Sequence, residues 1–459
     1  MRYISTRGQS PEADFPGVLT RALAPDGGLY VPKVWPKPLD MDALRGQPFA
    51  EVSAQILTLF AGDSITLDEA RAMTAAAYAT FRHDETCPVV PLWGDEHLLE
   101  LFHGPTLAFK DVAMQLIARL FERDLSQRGG RMTVIVATSG DTGGAAVSAL
   151  ARRAHLKIVS LHPHQRISEV QRRFMTTSGA DNVLNLAVRG TFDDCQSAVK
   201  ALFADRPFAE EVALGGVNSI NWARIAAQVT YYVTASLALD CDGPVHFSVP
   251  TGNFGDVFAG YVAKRLGAPI GQLIVAVNEN DILDRAMKTG LYEKKGITQT
   301  EAPSMDIEVA SNFERLIFEA SGRDDRLTLS LMESLKTNGS FCLPREVLDA
   351  ILIGFSSARA GSSEIAREMK RAQDRQGMIL DPHTAIGLHA SRVAREGGLD
   401  GPLVTLATAH AAKFPDAVEE VTGERPGLPF THEALYGQPE IYAEIPNDLE
   451  AIKTAIRGG

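Results

Sequence analysis

From Arg131 onward, short runs of continuously apolar residues alternate with segments whose apolar positions recur every three or four residues. MTVIVAT (132–138), LKIVSLH (156–162), NVLNLAV (182–188), VHFSVPT (245–251), QLIVAVN (272–278) and LVTLAT (403–408) are short and rich in β-branched residues. That pattern predicts strands buried on both faces. GGAAVSALARRA after Thr142, the run from Phe192 to Phe203, NWARIAAQVTYYVTASLAL (221–239) and GDVFAGYVAKRLG (255–267) carry helical spacing. Asp381 and Pro382 supply an N-cap and a first-turn proline for a helix through Ala394. The alternation predicts an α/β protein with parallel-type sheets covered by helices. A chain of 459 residues exceeds what one core usually organises. The expected division is an N-terminal domain over 1–95, a smaller α/β domain over 96–215 and a larger one over 216–459. Within the last, the more polar stretch 280–380 reads as an insertion or peripheral helices.

Ligands of such sheets sit beyond the carboxyl ends of the strands, and three of those ends carry unusual loops. In PTGNFGD (250–256), Gly252 and Gly255 bracket Asn253 and Phe254 between a strand and a helix. Glycines there let several N–H groups converge, and the helix start adds a partial positive charge, a seat for phosphate. The competing reading is a plain strand-to-helix turn. Neither the Walker pattern nor the dinucleotide fingerprint is present, so a nucleotide-binding P-loop is not expected. In TSGDTGG (138–144), Ser139, Thr142 and the N–H groups of 140–144 offer a second anion seat, provided Asp141 faces away or meets a cation.

The third feature is Lys110, in FHGPTLAFKD (102–111). Behind it Val112, Leu116 and Leu120, with Ala113, Ile117 and Phe121, make one apolar helical face. The lysine falls in the first turn, where the helix end and burial both favour the neutral amine that attacks carbonyls. A solvated lysine paired with Asp111 fits the same residues, and the segment alone leaves both open.

Composition narrows the partners. With 57 acidic against 45 basic side chains the net charge is −12, which disfavours nucleic acid and anionic membranes but not a small anion held locally. No uninterrupted apolar run reaches membrane-spanning length, and MRYISTRGQS lacks a signal-like core. Cys87, Cys195, Cys241 and Cys342 are scattered, as expected of reduced packing residues in a cytoplasmic protein. The histidines form no H-E-x-x-H, and no metal is expected.

Six segments, DGGLYVP (26–32), HGPTLAFKD (103–111), TSGDTGG (138–144), NSINWAR (218–224), PTGNFGD (250–256) and ATAHAAKF (407–414), together resemble the threonine synthase family. Those are pyridoxal-phosphate enzymes of the tryptophan-synthase-β-like fold, here with an extra N-terminal domain. The match keeps the family's order over nearly the whole chain and suggests its longer branch, not the plant-type branch regulated by S-adenosylmethionine. The resemblance implies pyridoxal 5'-phosphate as cofactor and Lys110 as its Schiff-base lysine. It makes Gly252, Asn253, Phe254 and Gly255 the cofactor phosphate cup, and Thr408 the hydroxyl facing the pyridine nitrogen. Asp141 is shared with the branch, while Ala412 stands where the family has proline.

The implied reaction turns O-phospho-L-homoserine and water into L-threonine and phosphate by γ-elimination and β-addition. Such a substrate needs a second anion site, for which Ser139, Thr142, Asn218, Ser219, Asn221, Arg224 and Lys413 are the candidates. Asn221 and Arg224 stand three apart on one helix face, though either asparagine, 218 or 221, also suits a helix cap. His103 and His410 are candidates for the substrate carboxylate or for structure. Three alternatives stay open: a phospho-lyase releasing 2-oxobutyrate, a dehydratase or β-replacement enzyme, and a non-catalytic ligand-binding relative. A monomer or a homodimer is expected, without nucleic-acid or membrane partners.

Overall fold

The computed structural model describes residues 1–239, 241 and 243–458. All six expected strands form, each ending within two residues of the apolar run that predicts it. They are divided between two sheets. The larger has the order Phe355–Arg359, Ile270–Val277, Val245–Pro250, Leu403–Ala407, Glu96–Glu100, Val89–Trp93, parallel except at the last pair. The smaller runs Ala443–Pro446, Val183–Arg189, Leu156–Pro163, Met132–Ala137, Leu214–Gly216 and is parallel throughout.

Three strands depart from the expected layout. Glu96–Glu100, placed by sequence in the smaller α/β domain, pairs with Leu403–Ala407 in the large sheet. Ala443–Pro446, placed in the larger domain, pairs with strand Val183–Arg189 at the edge of the small sheet, Ala443 opposite Leu186 and Pro446 opposite Arg189. Phe355–Arg359, inside the presumed insertion, is the outer strand of the large sheet. All three lie next to an edge or on it, where one face is polar, so none shows the continuous apolar run of a central strand. Ile445, for example, is the single buried residue of its strand.

The first 78 residues also share a core with the rest. Trp222, the first residue of helix Trp222–Ala238, packs its ring against Tyr3, Trp35 and Phe60 at centroid distances of 5.9, 6.0 and 5.4 Å. Cys87 and Cys195 are buried as expected, but Cys342 is exposed, because its strand Ser340–Cys342 belongs to a two-stranded surface pair. No helix among the described residues is long and apolar enough to cross a membrane.

Candidate active site

Lys110 opens helix Lys110–Arg128 and is 8% exposed. Its position is fixed from across the cavity: Phe109 N–H donates to the Thr408 carbonyl at 2.8 Å, and His410 N–H to the Leu107 carbonyl at 3.0 Å. The lysine therefore starts where strand Leu403–Ala407 ends. Asp111 is not its partner. That carboxylate turns back to accept from the N–H and hydroxyl of Thr106 at 2.7 and 2.8 Å. Lys110 Nζ instead donates to Asp141 Oδ2 and Ser304 Oγ, both at 3.3 Å. Burial pushes the amine's pKa down, with Lys413 and Arg224 acting in the same direction and Asp141 opposing.

Asp141 is the first residue of helix Asp141–Leu150 and meets cations rather than facing away. Its Oδ1 lies 2.8 Å from Lys413 Nζ and accepts from Gln171 Nε2 at 3.0 Å, while its Oδ2 accepts from Ser304 Oγ at 3.0 Å. These partners outweigh burial and hold the carboxyl well below its usual range. The loop around it is less open to anions than its sequence predicts. Thr138 Oγ1 already accepts from the N–H groups of Gly140 and Gly143, at 2.8 and 2.9 Å, and Gly144 N–H donates to the Gly140 carbonyl.

The 252–255 loop is different. Among the described residues, the N–H groups of Gly252, Asn253, Phe254 and Gly255 donate to no protein acceptor. Phe254 holds φ at +63°, a left-handed conformation rare for a bulky residue. Its ring is anchored by Phe313 and Phe355, at 5.3 and 6.0 Å between centroids. Asn312 fixes the loop from behind, donating twice to the Asn253 carbonyl at 3.0 Å. Gly252 has no room for a side chain, since a β-carbon there would lie 2.8 Å from the Ser304 carbonyl oxygen. Open N–H groups before helix Gly255–Arg265 make a cup that suits a phosphate.

This cup and Lys110 line one cavity of about 330 Å³, together with Thr142, Asn218, Ser219, Arg224, Asp256, His383 and Thr408. Several of its polar atoms have no hydrogen-bond partner among the described residues. Arg224 is buried and donates from Nη1 to the Val217 carbonyl at 3.1 Å, but its Nε has no acceptor. Burial pulls the guanidinium's pKa down to about 10. Asp256 accepts from Tyr231 and Tyr232 hydroxyls at 2.5 and 2.8 Å through Oδ1, leaving Oδ2 unpartnered. His383 shares a hydrogen bond of 2.9 Å between Nδ1 and Asp381 Oδ1, and its buried Nε2 is unpartnered.

Five of the sequence-derived candidates do not line the cavity: Ser139, Asn221, Lys413, His103 and His410. Asn221 is a helix cap, its Oδ1 accepting from Ala223 N–H at 2.9 Å and its Nδ2 donating to the Leu19 carbonyl at 2.7 Å. Lys413 is 1% exposed and spends its donors on Asp141 and the Thr106 carbonyl. His103 pairs with Glu100 at 2.7 Å, outside the cavity lining, and His410 caps its own turn through Nδ1. Sequence reasoning missed Ser304, His383, Gln196 and Lys200, all on the cavity wall. Gln196 and Lys200 stand four apart on a helix whose spacing was readable. Ser304 comes from a turn that no periodicity marks.

A model of pyridoxal-phosphate dependent enzymes matches residues 98–360, which contain both Lys110 and the 252–255 cup, and this places the chain in that class, with pyridoxal 5'-phosphate as its cofactor. Two further models, described as threonine synthase N terminus and threonine synthase, C-terminal, match residues 2–78 and 384–456. A threonine synthase of Pseudomonas aeruginosa is 44% identical over 99% of this chain and 98% of its own. The structure of a PLP-bound threonine synthase from Brucella melitensis is 49% identical with a TM-score of 0.96, covering 100% of this chain and 99% of that one. The Escherichia coli threonine synthase structure, at 29% identity, still superposes with a TM-score of 0.83 over 100% of this chain and 99% of its own. The chain belongs to the threonine synthase family.

Proposed function

We propose that this enzyme converts O-phospho-L-homoserine and water to L-threonine and phosphate at the cavity around Lys110. The observation that carries the reading is the presence, in that one cavity, of a buried lysine amine and two separate groups of donors that suit an anion. One is the open N–H cup at 252–255; the other is Arg224 with Thr142, Asn218 and Ser219. A cofactor phosphate and a substrate phosphate require two such sites.

When bound, pyridoxal 5'-phosphate supplies a conjugated system that takes up negative charge from the substrate carbons. Gly252, Asn253, Phe254 and Gly255 would hold its phosphate through main-chain N–H groups. Lys110 would hold its aldehyde end, and its buried amine would serve as the base for the Cα proton. Thr408, which follows the central strand and lines the cavity, would offer a neutral hydroxyl to the ring nitrogen. Arg224 presents a planar donor fork to the substrate phosphate, and its unpartnered Nε supports that role. Asn221 contributes through the helix start it caps, two residues from Ser219. Lys110, Arg224 and Asp256 are all buried, which limits the bulk water that reaches the reacting carbons.

The enzyme is taken to be cytoplasmic, a monomer or a homodimer acting on a small molecule; the net charge of −12 supports the absence of nucleic-acid and anionic-membrane partners. The test is an absorbance spectrum of the purified protein before and after adding O-phospho-L-homoserine, followed by product analysis. Threonine and phosphate are expected. Formation of 2-oxobutyrate and ammonia instead would make the enzyme a phospho-lyase, and a colourless protein without turnover would refute the reading.

A further inference from the structure

Lys413 is buried deeper than Lys110 and does not line the cavity, yet the two lysines share one carboxylate. Lys413 Nζ stands 2.8 Å from Asp141 Oδ1, whereas Lys110 Nζ stands 3.3 Å from Oδ2. Gln171 and Ser304 occupy the remaining acceptor positions, at 3.0 Å each. Lys413 is locked in place by the Thr106 carbonyl at 2.8 Å and by the Phe174 ring, 5.6 Å from Nζ to its centroid. Thr106 belongs to the same loop whose carboxylate clasp, Asp111, sets the start of the Lys110 helix.

We propose that Lys413 is a buried counter-charge for Asp141 that prevents this carboxylate from holding Lys110 as an ammonium ion. Asp141 and Ser304 then aim the Lys110 amine without trapping its proton. Lys413 is thus a positioning residue that acts through Asp141, not a ligand of the substrate. The charged and titratable groups around Lys110 are few. They are Asp111 on its own helix, turned to Thr106, Asp141 from the 141–150 helix, Lys413, Arg224 from the 222–238 helix, and Lys200, Asp256 and His383 on the wall of the same cavity. Asp141 is the single anion within 4 Å of the amine among the described residues. Without Lys413, its full charge falls on Lys110.

The inference rests on Lys110 being the lysine that joins the cofactor, and its test separates the two ideas. In cofactor capture the neutral Lys110 amine attacks the aldehyde carbon, a C=N bond forms, and the carbonyl oxygen leaves as water. Capture by the cofactor-stripped protein is followed by visible absorbance across pH, and the adduct is reduced with borohydride and mapped. Lys413→Met is expected to move the pH midpoint of capture up by about one unit or more, while Lys413→Arg leaves it near the wild-type value. If Lys413→Met does not fold, Lys413→Gln, which keeps a donor for Asp141 but no charge, takes its place and is expected to raise the midpoint likewise; adding Asp141→Asn to it should abolish the rise, and a rise that persists shows that Lys413 does not act through Asp141. A label on a lysine other than Lys110 overturns the assignment beneath the proposal. A label on Lys110 with the same midpoint in all variants overturns the proposal itself.

Discussion

The N–H of Phe109 donates to the carbonyl of Thr408 at 2.8 Å, joining the residue before the lysine to the residue that follows the central strand of the large sheet. The antiparallel bridge between Ala108 and Ala409 continues the contact. Two loops about 300 positions apart in sequence thereby act as one rigid piece. The backbone positions from which Lys110 and Thr408 project are therefore held relative to each other.

Lys110→Ala should remove the visible absorbance of the protein-bound cofactor and lower threonine formation by about a hundredfold to ten-thousandfold. Absorbance of the purified variant and a coupled phosphate-release assay measure both. A variant that retains colour and turnover excludes Lys110 from the chemistry.

Arg224→Ala should raise KM for O-phospho-L-homoserine by about ten- to a hundredfold while cofactor content stays at the wild-type level. That range corresponds to a charge-assisted hydrogen bond of roughly 1.5–3 kcal/mol. Arg224→Lys should recover only part of the loss, because an ammonium lacks the planar fork. Steady-state kinetics with cofactor quantification decide the matter.

Gly252→Ala places a methyl group against the Ser304 carbonyl. Moving that turn costs about 1–3 kcal/mol and disturbs the cup, so cofactor affinity should fall by about tenfold or more. Equilibrium dialysis with pyridoxal 5'-phosphate measures the change. Unaltered affinity would place the cofactor phosphate elsewhere.

Burial pushes the carboxyl of Asp256 up to about 6, against the opposing hydrogen bonds from Tyr231 and Tyr232 and the charge of Arg224. The folded state therefore keeps this proton at pH values where the unfolded chain has lost it. Stability from this group is intact below the unfolded value near 4 and declines as pH rises to about 6, by an amount on the order of 3 kcal/mol. Asp256→Asn keeps an oxygen for both tyrosines and abolishes the decline. Urea denaturation of the cofactor-free proteins between pH 4 and 7 should show the variant gaining on the wild type. Parallel curves would mean that Asp256 remains ionised when buried.

Sequence made the central strands and the glycine loop legible because each obeys a local rule. Continuous apolar residues mark Val245–Pro250, and Gly252 and Gly255 mark the turn after it. Strands Glu96–Glu100 and Ala443–Pro446 escaped because edge and near-edge strands need only one apolar face. In the cavity, the pairing of Asp141 with a cation was foreseeable from its charge, but not the identity of the cation. Lys413 lies 272 positions away in sequence, and only the fold brings it to 2.8 Å. The same holds for Ser304, a turn residue without a pattern of its own, and for His383, whose Asp381 reads as an ordinary cap until its second hydrogen bond to the ring is seen.

The last strand of the small sheet, Ala443–Pro446, covers the outer edge of Val183–Arg189. During synthesis that edge keeps an open row of N–H and C=O groups until about 250 further residues have emerged, a template for wrong partners in the meantime. The sheet that carries one wall of the cavity is thus finished only after translation has passed residue 446. Removing the strand would re-expose the backbone edge of Val183–Arg189 to edge-to-edge association.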